Sequence, residues 1–315
     1  MHFPSSNQSL NIIFLLEGLT KDPTLEAVLF IMFLVIYIFT IFGNGGLIFL
    51  IIKIPALHTP MYFFLQHLSF IDICYTSVII PRTLSNFLAK EKTITLLACA
   101  VQIQMFMFII CVTTEFFLLT FMAYDRYVAI CIPLRYLIIM NKRKCIQFAF
   151  LSWFFGLVNS AFYSIVMCTL PFCTMREINH FYCDLKAMAK LSCSDITLLE
   201  TLMSLESVFL GLFPFALILV SYVCIICTIV KMRTSTGRAK TFSSCSSHLT
   251  VVIIFCGTVT STYMKQESEN SQELEKLMSL LYSTIVPVLN PLIYSLRNKD
   301  VLKAVMNIIK LKSNV

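Results

Sequence analysis

Met122-Ala123-Tyr124-Asp125-Arg126-Tyr127-Val128-Ala129-Ile130-Cys131 closes an apolar run that begins near Leu97. Nothing structural requires an Asp-Arg pair there. Even on the mildest insertion scale such a residue costs about 2.5–3.5 kcal/mol near a bilayer core, so an ionisable group in a span marks function by default. The plain alternative is an Arg that snorkels to the headgroups, and the rest of the chain decides between the two.

Composition settles the surroundings of that pair. Of 315 residues, 58% are hydrophobic and 13% charged, whereas a soluble domain carries about 25% charged residues. Segments at about 27–52, 61–81, 97–130, 145–168, 198–230, 243–263 and 277–296 are long and apolar enough to cross a bilayer,. Each must be a helix, because lipid offers no partner to open backbone groups. With the loop after the first span placed inside, the inner side collects 15 of the 24 Lys and Arg against only Asp125 and Asp300. This bias predicts an extracellular N-terminus and a cytoplasmic C-terminus. The net charge of +7 is thereby a membrane signature, with the lipid bilayer as partner and no nucleic acid.

The layout follows. Residues 1–26 form an extracellular tail without a cleavable signal pattern, so span one serves as its own anchor,. Asn7-Gln8-Ser9 is a glycosylation acceptor on the correct side,. Residues 27–297 are the seven-span domain, and 298–315 a short cytoplasmic amphipathic helix and tail, with Val301, Ala304, Val305, Ile308 and Ile309 at helical spacing,. The loop from about 169 to 197 is long enough to be a lid,. Cys99, Cys173, Cys183 and Cys193 lie outside, where disulfides persist, and sequence leaves all three connectivities open,. Pro214, Pro287 and Pro291 interrupt spans five and seven, so freed carbonyls there need other partners,. No internal repeat suggests a transporter. No metal-ligand cluster or nucleophile-base pair suggests an enzyme, and His2, His58, His67, His180 and His248 are scattered singly.

The chain resembles rhodopsin-like G-protein-coupled receptors of the odorant (olfactory) receptor family, class II, over nearly its whole length. The resemblance rests on Gly43-Asn44, on Leu57-His58-Thr59-Pro60-Met61-Tyr62 and on Leu68-Ser69-Phe70-Ile71-Asp72. It continues through the opening motif with Pro133-Leu134-Arg135-Tyr136, then Ser221-Tyr222 and Ser243-Ser244-Cys245-Ser246-Ser247-His248-Leu249. Pro287-Val288-Leu289-Asn290-Pro291-Leu292-Ile293-Tyr294-Ser295-Leu296-Arg297-Asn298 completes it. The order and spacing of these motifs are specific where any one alone is weak. The fold implied is an all-α seven-helix membrane bundle. The function implied is a plasma-membrane odorant receptor, not an enzyme, that activates a stimulatory, olfactory-type G-protein and raises cyclic AMP.

Three groups of residues follow. Asp125 can hold Arg126 in one state and release it in another. The resemblance extends this switch and G-protein contact to Tyr127, Tyr222, His248, Asn290, Pro291 and Tyr294. Asp72 and Glu115 lie at similar depth, about 15–18 Å above the inner helix ends. They must share a proton, bind a cation or pair with polar neighbours such as Asn44 and Asn290, and the resemblance implies a sodium or proton site; no other cofactor is expected. The outer half presents Phe108, Ile109, Val112 and Thr113 from span three, Glu206 from span five, and Val259, Thr260 and Tyr263 from span six. Such a pocket suits small, volatile, largely apolar molecules. Glu206 could meet an amine, accept a hydroxyl or simply reach outer water.

By resemblance, Cys99 pairs with Cys183 and Cys173 with Cys193. Phe255-Cys256-Gly257 departs from the family's Phe-Tyr-Gly, and Pro81-Arg82-Thr83-Leu84 from its Pro-Lys-Met-Leu. The acidic segment Gln266 to Lys276 reads as a solvated loop.

Overall fold

Helix starts follow the capping chemistry written in the chain. The computed structural model describes residues 12–20, 22–89, 92–96, 98–99, 104–172, 177–232, 234–263, 271–296 and 301. Helix α1 spans Pro23–Lys53: Pro23 has no N–H to leave orphaned, and the Asp22 carboxylate accepts from the Thr24 N–H at 2.9 Å,. Helix α2, Pro60–Leu88, also opens on proline. Helix α3 is Gln104–Cys131, and α4, Lys142–Thr169, is capped by Asn141 accepting from the Lys144 N–H at 3.0 Å. Helix α5 runs Thr197–Lys231 and α6 Ser235–Tyr263. Helix α7 joins Ser271–Leu280, a π-helical segment Leu281–Ile285 and Val286–Leu296.

Among the described residues, α1 to α5 and α7 hold stretches long and apolar enough to cross a membrane, and α6 holds the apolar stretch His248–Val259. In α3, 67% of the most apolar window is buried, against 11% in α1, so α3 is the hub of the bundle and α1 faces lipid.

The prolines are accommodated individually. The π-helical segment Ser207–Leu212 directly precedes Phe213-Pro214, and Leu281–Ile285 directly precedes Val286-Pro287. A wider turn takes up the hydrogen bond that each proline cannot donate. Pro291 strips the donor from the Pro287 carbonyl, and the Asn44 amide of α1 supplies a replacement at 3.0 Å. The close approach needs Gly43, where a Cβ would lie 3.1 Å from Pro291 Cγ.

Some boundaries differ from the sequence reading. Span two continues past Pro81 to Leu88, since an interior proline is tolerated in a membrane helix,. The described part of span three is Gln104–Cys131, and Ala98 and Cys99 before it are helical as well. The supposed loop before span seven is helical from Ser271, as Leu274, Leu277, Met278 and Leu281 recur at helical spacing,.

A three-stranded sheet lies at one end of the bundle, here called the lid end. Strands β1 (Ile13–Leu16), β2 (Thr93–Thr95) and β3 (Glu177–Ile178) are ordered β2-β1-β3. Ile13 faces Thr95 antiparallel, and Leu16 faces Ile178 in parallel. Strand alternation sends Phe14 and Leu16 inward, fully buried, and Phe14 packs edge-on against Phe172 at 5.3 Å,. Gly18, at φ 76°, turns the chain out of the sheet,. Glu26 pairs with Lys92, and Glu17 with Lys276 of α7 at 3.9 Å. The expected C-terminal amphipathic helix lies outside the described residues except for Val301, which is buried; Asn7 lies outside them too.

Candidate functional site

At the end opposite the lid, the switch residues stand as a paired set. Asp125 is fully buried with its Oδ2 3.4 Å from the Arg126 guanidinium. Its Oδ1 accepts from the Tyr136 hydroxyl at 2.8 Å, and Arg126 also contacts the Met61 sulfur of α2. Burial first, and then the Asp125 carboxylate, push the Tyr136 phenol above its usual range, so it remains a donor. Tyr222 of α5 is buried and tied to α6, sharing a 2.7 Å hydrogen bond with His248 Nδ1 and donating to the Cys245 carbonyl at 3.2 Å. Tyr294 is 1% exposed, and its hydroxyl has no hydrogen-bond partner among the described residues. Tyr127 packs partly buried on the core.

Half-way along the bundle, Asn290 donates to both Asp72 oxygens, at 3.2 and 3.0 Å, and lies near Glu115. This amide joins α2, α3 and α7 at one point. Of the two neighbours expected for the carboxylates, only Asn290 is there; Asn44 is instead held by the Thr40 and Pro287 carbonyls, because Pro291 leaves the latter bare. Glu115 Oε1, Ser69 Oγ and Asn290 Oδ1 are buried without a hydrogen-bond partner among the described residues. An oxygen-only set of this kind fits a hard cation better than a transition metal. Cys256 is 3% exposed and near enough to Glu115 to interact with it electrostatically, and its neighbour Phe255 packs on Phe116 at 4.8 Å.

Toward the lid, the residues expected to meet a ligand divide. Phe108 is committed to an aromatic cluster: it stacks on Tyr75 at 5.3 Å and touches Tyr182 of the lid at 5.6 Å and Tyr282 of α7 at 5.9 Å. The Tyr182 and Tyr282 hydroxyls are 2.7 Å apart, fastening lid to helix. Ile109, Thr113 and Val259 are buried and Val112 partly so, while the side chains of Thr260 and Tyr263 lie outside the described ones. Glu206 is not simply bathed in outer water. Asn159 of α4 donates to its Oε1 at 2.5 Å and to Thr113 Oγ1 at 3.1 Å, and the Tyr163 hydroxyl lies near the same carboxylate.

The lid itself is tied down. Cys99 and Cys183 are bonded, with Cα atoms 5.6 Å apart. Cys193 is also disulfide-bonded, and Cys173 lies outside the described residues. His180 is 3% exposed, stacked on Phe181 and edge-on to Tyr182. Burial first, and then the charge of Lys276, hold its imidazole down at about 3, so it is neutral at physiological pH.

With this geometry in place, comparison with known proteins is specific. The family model described as "Olfactory receptor" matches residues 33–312. The chain is 49% identical to human Olfactory receptor 13C9 over 308 residues, covering 96% of each chain. It is 46% identical to human Olfactory receptor 8D1 over 303 residues, covering 96% of this chain and 98% of that one. Mouse Olfactory receptor 5G25 is 45% identical over 300 residues, covering 95% and 94%. The chain belongs to the olfactory receptor family.

It is accordingly a multi-pass membrane G-protein-coupled receptor, not an enzyme. In this olfactory receptor, the contacts not foreseen from sequence are Asn159 and Tyr163 around Glu206, Tyr136 at the switch, and Tyr75, Tyr182 and Tyr282 around Phe108. Asn159-Ser160 in the middle of an apolar span was the available signal; Ser160 donates to the Phe106 carbonyl at 2.5 Å. No comparable signal announced the tyrosines, which are ordinary in membrane helices.

Proposed function

We propose that this olfactory receptor sits in the plasma membrane with residues 1–26 outside and 298–315 inside. It binds small, volatile, mostly apolar odorants in the lid half of residues 27–297. Binding activates a stimulatory, olfactory-type G-protein and raises cyclic AMP. The observation that carries this reading is the Asp125–Arg126 pair, 3.4 Å apart, beside a Tyr222–His248 contact that bridges α5 and α6. A ligand that packs better on a rearranged α3–α5–α6 surface draws Arg126 out of its pair, because a ligand shifts an equilibrium only by its differential affinity for the two states. Ile109, Val112, Thr113, Glu206, Val259, Thr260 and Tyr263 are the contact set, with Phe108 forming a wall through its aromatic cluster. Tyr127, Asn290, Pro291 and Tyr294 carry the movement to the G-protein. Asp72, Glu115 and Asn290 would hold a sodium ion or a shared proton that favours the resting state; a bound cation would supply positive charge between carboxylates on α2 and α3.

The test is a cyclic AMP reporter response to a broad odorant panel at verified surface level, with Arg126→Ala as the matched control. A response in the parent that is lost in Arg126→Ala supports coupling. An odorant response independent of Arg126 would instead favour a channel. Loss of an Asn7-linked glycan on glycosidase treatment, absent in Asn7→Gln, checks the orientation.

A further inference from the structure

The cluster around Glu206 has a chemistry that the apolar reading of the pocket does not use. Glu206 lies eight residues before Pro214, about 12 Å along the helix toward the lid, and is partly buried,. Its described polar neighbours are donors: the Asn159 amide at 2.5 Å and the Tyr163 hydroxyl. Donors alone suit an ionised carboxylate, which can only accept. Tyr163 is 2% exposed, and Asn159 is further fixed by donating to Thr113 Oγ1, so three helices hold the carboxylate in one place. Yet among the described residues no Lys, Arg or His pairs with it; the ion pairs found there are Lys92–Glu26, Arg126–Asp125 and Lys276–Glu17. An unpaired carboxylate in a span either takes up a proton or keeps its charge where something supplies the opposite one, and an all-donor surrounding favours the charge.

We infer that Glu206, held by Asn159 with Tyr163 and Thr113 beside it, is the recognition point for the ammonium group of a small aliphatic amine whose apolar body lies among Ile109, Val112 and Val259. This rests on the proposed odorant reading and narrows its ligand class. The counter-ion stands on α5, not on the outer half of α3. Thr113 Oγ1 adds an acceptor for a second ammonium hydrogen, since an ammonium is a donor with no acceptor of its own. An alcohol of equal length can donate one hydrogen bond to the carboxylate but leaves its charge unmatched.

The experiment uses the full-length receptor in cells at matched surface level. The probes are a homologous series of short aliphatic amines, with the alcohol and the methyl ether of each chain length. Amines should be the more potent in the parent, and Glu206→Gln should weaken them by about tenfold to a hundredfold, the worth of a charge-assisted hydrogen bond, while leaving alcohols and ethers within about threefold. Glu206→Asp should restore part of the amine preference. If Glu206→Gln fails to reach the surface, Tyr163→Phe and Glu206→Asp report a smaller loss that is likewise confined to the amines. Equal potency of amines and alcohols, or an amine response untouched by these variants, overturns the ammonium site and leaves the odorant reading standing. Silence toward both this series and the broad panel overturns both.

Discussion

Gly156 offers the sharpest test of how α3 and α4 are held together. A Cβ at that position would lie 2.5 Å from Thr114 Oγ1 and 2.8 Å from the Ile110 carbonyl oxygen. The threonine can rotate; the carbonyl is helix backbone and cannot. Gly156→Ala must therefore push the helices apart, and overpacking of this kind costs about 1–3 kcal/mol. Alanine's better helix propensity returns about 0.5–1 kcal/mol. The net loss is about 1–2 kcal/mol, which lowers the melting temperature by about 1.5–3 °C. Gly45→Ala is the matched control: no atom lies within 4 Å of its Cβ, so only the propensity gain remains and the melting temperature should rise slightly. Adding Thr114→Ala to Gly156→Ala should recover part of the loss, because the carbonyl clash persists. The assay heats purified receptor in detergent with a thiol-reactive dye that reports exposure of buried Cys111, Cys145, Cys245 and Cys256. Gly156→Ala melting at or above the parent, or Gly45→Ala falling as far, refutes the packing argument.

Three further outcomes are expected. Glu115→Gln should alter basal cyclic AMP by about fivefold or more, a coupling of about 1–3 kcal/mol, and should blunt its sodium dependence; identical sodium sensitivity in mutant and parent removes the cation. Tyr182→Phe and Tyr282→Phe should each loosen the lid, and their effects on its hydrogen exchange should be non-additive by about 0.5 kcal/mol or more, as for groups in one hydrogen bond; strict additivity would show that the two hydroxyls are not linked. His180 is held at about 3 against 6.5 when unfolded, so its contribution is complete above 6.5 and declines as pH falls toward 3. At pH 5 the loss is about 2 kcal/mol, and thermal stability of His180→Leu should be flatter than the parent's between pH 7 and 5.

What the chain made legible was what lipid enforces. The seven apolar runs, the prolines in spans five and seven, and the buried Asp72, Glu115 and Asp125 all stand out because exposure to hydrocarbon penalises anything else. What it hid was contact across long separations. Asn44 reads equally well as a partner for Asp72 or for a bare carbonyl, and only the placement of Pro291 against Gly43 decides for the carbonyl. Glu206 reads as wet from its position near the start of span five, and only α4's Asn159 and Tyr163 draw it inward. The strand at Ile13–Leu16 has too few residues for a periodic signal, and its partners lie in two separate loops.

That strand imposes an order on biosynthesis. It occupies the middle of its sheet, yet it is translated before any helix, while its parallel partner Glu177–Ile178 emerges only when more than half the chain has been made. Until then only the Thr93–Thr95 side of the strand can pair, and its other edge stays open,. The sheet can therefore close only after the fourth helix has been made, and the Cys99–Cys183 bond joins two segments of the chain that are synthesised far apart.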